Sequence, residues 1–254
     1  MKTQQGFFTQ FKIAVSSYFK AVELVFDRRM LVYFVFILLI SAALVAAEIF
    51  IVRALVEAAE ARVLGLISPE RFWVPLQKII EFVLRAGLHF FFYFLFFTIN
   101  KYLLLIVLSP IMAAISEKAE TILTGKEYPF LFSNIFRDLR RGTIIALRNM
   151  CIEFGFLFLG LFVVWIPVIG WLFPLFLFVL SCYFYGFSMI DYINERKALS
   201  TSQSIAYVKL HKGIAIGNGL ILTLLMAIPY LGVFFAAVLG PVAATVAIIN
   251  SEKD

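Results

Sequence analysis

The sequence predicts an all-α integral membrane protein. Hydrophobic residues make up 63% of its 254 residues and charged ones 15%, and thirty are phenylalanine. Two stretches, 154–190 and 213–251, carry no charged side chain over 37 and 39 residues, so each is long enough for a pair of helices. The mean hydropathy of +0.97 lies far above that of a soluble domain. In a soluble chain the formal net charge of +6 would point to nucleic acid. Here the basic residues flank apolar segments, so their expected partner is the lipid bilayer, and no nucleic acid is expected.

The first element, 4–28, places Phe7, Phe11, Val15, Tyr18, Val22 and Val25 at steps of three and four, with Gln10, Lys12, Ser16 and Lys20 elsewhere around the turn. That pattern predicts an amphipathic helix lying in the headgroup region. Arg28 and Arg29 then precede a first spanning helix, expected over 30–57, with Glu48, Arg53 and Glu57 pairing or snorkelling near its far end. Because the first long apolar run begins only at Met30, no cleaved secretory signal is expected.

A polar connection over about 58–78 leads into a second long helix, expected over 82–125. The apolar run 79–115 would make roughly 55 Å of helix against a hydrocarbon core of roughly 30 Å, so it must tilt, bend or project. Pro110 is expected to kink it and Gly125 to end it. The following segment, 126–148, is the most basic, with Lys126, Arg137, Arg140, Arg141 and Arg148. It reads as a cytoplasmic flanking loop or as a patch that faces an anion.

The last two blocks, 153–190 and 213–250, break in the same way. WIPVIGW at 165–171 matches AIPYLGV at 227–233, aligning Pro167 and Gly170 with Pro229 and Gly232. Each proline removes a backbone donor and disfavours helix in the preceding isoleucine, and each glycine is expected to take a left-handed turn that reverses the chain. The limbs before the prolines are 13 and 16 residues long. They cover roughly 20 to 24 Å as helix, short of a full crossing. Two topologies follow: hemi-penetrating helix pairs whose tips meet protein or water, or a six-span bundle. In both, sixteen basic residues fall on the side of the two termini and four on the other, which predicts cytoplasmic termini. The whole of 1–254 reads as one membrane domain.

Catalytic signatures are missing from the sequence. There is no G-x-x-x-x-G-K-[ST], no H-E-x-x-H and no G-x-S-x-G. Glu48, Glu81, His89, Asn100, Lys101 and Asp191 form no convincing acid–base pair, and Cys151 and Cys182 lack metal-ligand spacing. Neither an enzyme nor a metal or cofactor is expected.

The ordered features resemble the CysZ family of bacterial inner-membrane sulfate permeases and the wider etoposide-induced membrane-protein superfamily. The residues that carry the likeness are the Arg28 and Arg29 pair, Ser109-Pro110 leading to Ser116-Glu117, Leu123-Thr124-Gly125, and the Arg/Asp cluster at 137–148. IPVIG at 166–170, Asp191-Tyr192, IPYLG at 228–232, Pro241 and Ala244-Thr245 complete it. The resemblance implies two long spanning helices with two hemi-penetrating helix pairs, a homo-oligomer, and transport of sulfate or a related small oxyanion without an ATPase of its own. It places anion binding at Arg28 and Arg29; in the basic segment Arg137, Arg140 and Arg141 are weaker candidates at an entrance. The family's Gly-Leu-Pro element before the paired arginines is replaced here by Val25-Phe26-Asp27. That departure keeps a second expectation open, a membrane scaffold or homeostasis protein that transports nothing.

Overall fold

The computed structural model describes residues 5–67, 73–128, 132–228 and 231–253, with the backbone alone described at 28, 29, 31, 32, 48, 67, 94–98, 100, 101, 104 and 132–134. Among the described residues every regular element is a helix: α1 (Phe7–Val25), α2 (Arg28–Ile67), α3 (Val74–Val107), α4 (Ser109–Thr124), α5 (Phe132–Val163), α6 (Ile169–Arg196), α7 (Thr201–Leu210), α8 (Lys212–Met226) and α9 (Leu231–Lys253). Four helical stretches, Tyr33–Leu66, Ile135–Val163, Ile169–Arg196 and Leu231–Lys253, are long and apolar enough to cross a membrane. The protein is an all-α membrane protein. Its contacts fall into two compact units, one of residues 1–41 with 105–254 and one of residues 42–104.

In the smaller unit, polar groups on apolar helices find local partners. His89 Nδ1 lies 3.2 Å from a Glu60 carboxylate oxygen, and Gln77 donates to Glu81 at 3.1 Å. Helix α2 runs ten residues past 57 because 57–66, EAAEARVLGL, is built of strong helix formers apart from one valine and one glycine. Helix α3 starts at Val74, with Pro75 in its first turn, where a missing N–H costs nothing.

Two helices occupy 82–125, with the break at Leu108. Pro110 has no N–H to give the Ile106 carbonyl, and the Ser109 hydroxyl donates to that carbonyl instead at 2.8 Å. Gly125 closes α4 with a left-handed φ of 74° and an N–H bond to Thr121 O at 2.9 Å, as its position predicts.

Helix α1 departs from the expected amphipathic pattern. Its inward face begins polar and small at Gln10, Ala14 and Ser17 and continues through Tyr18, Ala21, Leu24 and Val25, packed against α8 and α9, while Phe8 and Phe19 point outward. The reason lies in α7 and α8, which meet at 91° around His211. That bend strips partners from backbone groups, and Gln10 supplies them by donating to Leu210 O at 2.9 Å and accepting from Gly213 N at 3.0 Å. Leaving such buried groups unmet costs about 1–3 kcal/mol each. Further along, Tyr18 donates to Asn218 O at 2.9 Å and Asn218 donates to Gly240 O at 3.3 Å, which ties α1, α8 and α9 together.

The tips also correct an expectation. Gly170 and Gly232 are not left-handed, for among the described residues Gly125 is the glycine with positive φ. At the first tip Val168 takes φ 66° and ψ −54°, and Ile169 N bonds to Pro167 O at 2.8 Å, a γ-turn. Gly170 is needed for a different reason: a Cβ there would overlap the Val164 carbonyl, and one on Gly232 would overlap the Leu225 carbonyl. Pro229 lies outside the described residues. The chain reverses at the first tip, with the Phe156 and Phe176 rings 5.3 Å apart across the α5–α6 pair.

Candidate functional site

Most of the basic segment read as a loop is the first half of α5. Asp138, Ile145, Asn149 and Glu153, at steps of seven, four and four, face inward with Ala146 beside them, so the stretch has the period of a buried helix. Gly142 lets α5 approach α4, since a Cβ there would come within 2.7 Å of Ser109 Cβ. This contact sets the arginines of α5 against the polar end of α6.

Arg141 is committed to that junction. Its Nε and Nη2 each donate to a different oxygen of Asp191 at 2.8 Å, and its Nη1 donates to Leu199 O at 2.6 Å. Asp191 accepts a further bond from Ser204 Oγ at 2.5 Å, and Ser204 in turn accepts from Asn194 at 2.8 Å. The Arg141 and Asp191 side chains are 14% and 5% exposed, so this fork is a buried bidentate ion pair with its acceptors satisfied. Arg196 is held likewise, donating to Glu120 at 2.8 Å and to Tyr192 O at 3.2 Å.

Arg137 and Arg140 are placed differently. Arg137 is half exposed, 3.1 Å from Glu195 and 3.5 Å from Asp138. Arg140 is exposed and has no acidic partner among the described residues. Both line a cavity of about 500 Å³ together with Arg141, Ile144, Glu195 and the 198–203 turn. That turn carries the capping box of α7, in which Ser200 accepts from Gln203 N at 3.3 Å and Gln203 accepts from Ser200 N at 2.8 Å. The cavity thus combines an unpaired guanidinium, a half-exposed one and the positive end of a ten-residue helix.

Residues 17–237 match the family described as sulfate transporter CysZ/etoposide-induced protein 2.4. The chain belongs to that family. A comparison with curated proteins finds no match. In this CysZ/etoposide-induced family member, Arg28 and Arg29 form the first turn of α2, directly after the α1–α2 bend at Asp27, whose carbonyl accepts from Met30 N at 2.8 Å. Their side chains lie outside the described residues, as do those of Glu48, Asn100 and Lys101.

In the sequence Asp191 stands out as an acid at depth and as part of the family likeness, whereas no motif in it singles out Glu195 or Ser204 as partners. A signal was present: Asp191 and Glu195 sit four apart at the end of α6, as Arg137 and Arg141 do on α5, so two helices can meet charge to charge. Nearby on α4, burial raises the Glu117 carboxyl above its ordinary range; Arg196 opposes the rise and Asp138 adds to it.

Proposed function

We propose that this protein is a permease for sulfate or a related small oxyanion in a bacterial inner membrane, acting as a homo-oligomer with cytoplasmic termini and without an ATPase of its own. The observation that carries this reading is family membership across 17–237, in a chain that keeps the arginine pair at the first turn of α2. A helix start offers free N–H groups and the positive dipole end, and two guanidinium groups there add charge-assisted bonds to an oxyanion. Arg28 and Arg29 are the primary ligands in this reading. Arg137 and Arg140 attract the ion at an entrance, and Arg141 holds that entrance in shape through Asp191. The two proline–glycine tips end hemi-penetrating hairpins, whose turn backbone needs a protein or water partner at membrane depth.

The test is uptake of radiolabelled sulfate by liposomes holding the purified protein. Wild type is expected to take it up above protein-free vesicles, and Arg28→Ala with Arg29→Ala to lower the initial rate at least tenfold. Unchanged uptake removes the pair from the mechanism. A non-transporting scaffold is the second reading, favoured by Val25-Phe26-Asp27 where the family carries Gly-Leu-Pro. It predicts no uptake by wild type at any sulfate gradient.

A further inference from the structure

We propose that Glu195 is a built-in competitor for the anion: its carboxylate occupies Arg137 in the wall of the cavity, and an entering dianionic oxyanion takes its place on Arg137 beside Arg140. The proposal rests on the oxyanion reading and names what regulates access to the entrance.

The geometry separates the three arginines. Arg141 is the most committed, because its fork takes both oxygens of Asp191 and its Nη1 donates to Leu199 O. Arg140 is open to the cavity and unpaired among the described residues. Arg137 is in between: its side chain is 51% exposed, while the Glu195 carboxylate it meets is set into the wall at 8%. Only one oxygen of Glu195 meets Arg137, at 3.1 Å, and its other oxygen stands 3.9 Å from Arg141.

The charges around Glu195 make that hold exchangeable. Asp138, one residue from Arg137, shares the same guanidinium at 3.5 Å, and Asp191 lies on the same face of α6 one turn back, so three carboxylates compete for two guanidinium groups. A tetrahedral dianion brings two charges and four acceptor oxygens, and it bridges Arg137 and Arg140, which a carboxylate anchored on α6 does not. At about 500 Å³ the cavity holds such an ion with several waters, each taking roughly 30 Å³. Glu195 is the acidic residue among those that line it. Its carboxyl oxygen on Arg137 therefore stands in the way of an entering anion and favours one able to outbid a single carboxyl group.

The experiment is equilibrium binding of radiolabelled sulfate to the purified full chain in phosphatidylcholine nanodiscs, with and without phosphatidylglycerol. Glu195→Gln is expected to bind sulfate at least tenfold more tightly than wild type, and adding Arg140→Ala to Glu195→Gln to remove that gain. Unchanged or weaker binding by a monodisperse Glu195→Gln protein overturns the proposal. If that variant does not fold, Glu195→Asp, which draws the carboxylate back from Arg137 but keeps its charge, is expected to bind at least threefold more tightly, and no gain again overturns it. A gain read only as retained phosphatidylglycerol, with sulfate binding unmoved, assigns the pocket to a lipid phosphate and also overturns it. Failure of the permease reading is distinguishable: wild-type liposomes that take up no sulfate defeat transport, while tighter sulfate binding by Glu195→Gln still supports the competitor.

Discussion

At the first tip Trp165 is 83% exposed and Trp171 88%, and only 22% of the most apolar stretch of α5 is buried within the protein. Of the limbs that follow the tips, α6 is 44% buried over its most apolar stretch and α9 72%, because α1, α4, α6 and α8 all pack around α9. The tips share a local device, a proline followed three residues later by a glycine pressed against a preceding carbonyl. Their limbs differ in side-chain size. α8 and α9 carry Gly213, Gly217, Gly219 and Gly240 with alanine pairs at 236–237 and 243–244, whereas α5 and α6 are rich in Phe and Leu on the tip side of Gly186. Small residues let backbones approach within a membrane, and bulky ones hold a neighbour off. A repeated proline–glycine motif therefore says where the helices break, and the flanking side chains say how deeply the resulting limbs are buried.

The sharpest way to break this contrast is to add volume to each pair. A Cβ on Gly219 would overlap the Cys182 carbonyl, and one on Gly186 the Ala215 carbonyl, so α6 and α8 cross backbone to backbone. Gly219→Leu is expected to cost more than about 3 kcal/mol and to abolish a cooperative thermal transition in detergent. Gly155→Leu on α5, where a Cβ meets nothing within 4 Å, is expected to shift the melting free energy by less than about 0.5 kcal/mol. Equal losses would erase the distinction between the two pairs.

A smaller effect asks what holds the α5–α6 pair. If α5 and α6 are fastened at their polar end, Asp191→Asn leaves Arg141 buried against a neutral partner and is expected to cost about 3 kcal/mol by thermal unfolding. A loss under about 1 kcal/mol would show that the fork contributes little and that ring packing near the tip carries the pair.

The smallest effect concerns the tip itself. Val168 is β-branched and left-handed, a conformation that costs on the order of 1 kcal/mol or more for such a residue. Val168→Gly is expected to raise stability by about 1 kcal/mol in the same melt. A loss would mean that its exposed side chain makes contacts in the assembled protein that outweigh the strain.

Much of this was legible along the chain. Pro110 marked an interruption, though as a kink in one helix where two helices meet, Gly125 marked a stop, and the two I-P-x-x-G stretches marked breaks in the apolar blocks. The basic segment misled because its arginines hid a helical spacing of seven and four carried by Asp138, Ile145 and Asn149, a face that becomes visible only when a partner covers it. Helix α1 misled for a related reason: Gln10 looks like a water-facing residue until the α7–α8 bend strips partners from Leu210 O and Gly213 N.

By itself the sequence determined an all-α membrane protein, the breaks in its helices and its family resemblance, because hydropathy, proline and glycine act through local backbone chemistry and the bilayer's demand for satisfied hydrogen bonds. The tertiary structure decided which arginines are struts and which are open. Arg137, Arg140 and Arg141 are chemically identical and differ in what lies opposite: one oxygen of Glu195, the open cavity, and two oxygens of Asp191 respectively. Burial and partners across 50 or more residues of chain set the role of each charge, and such pairings appear only when the helices meet.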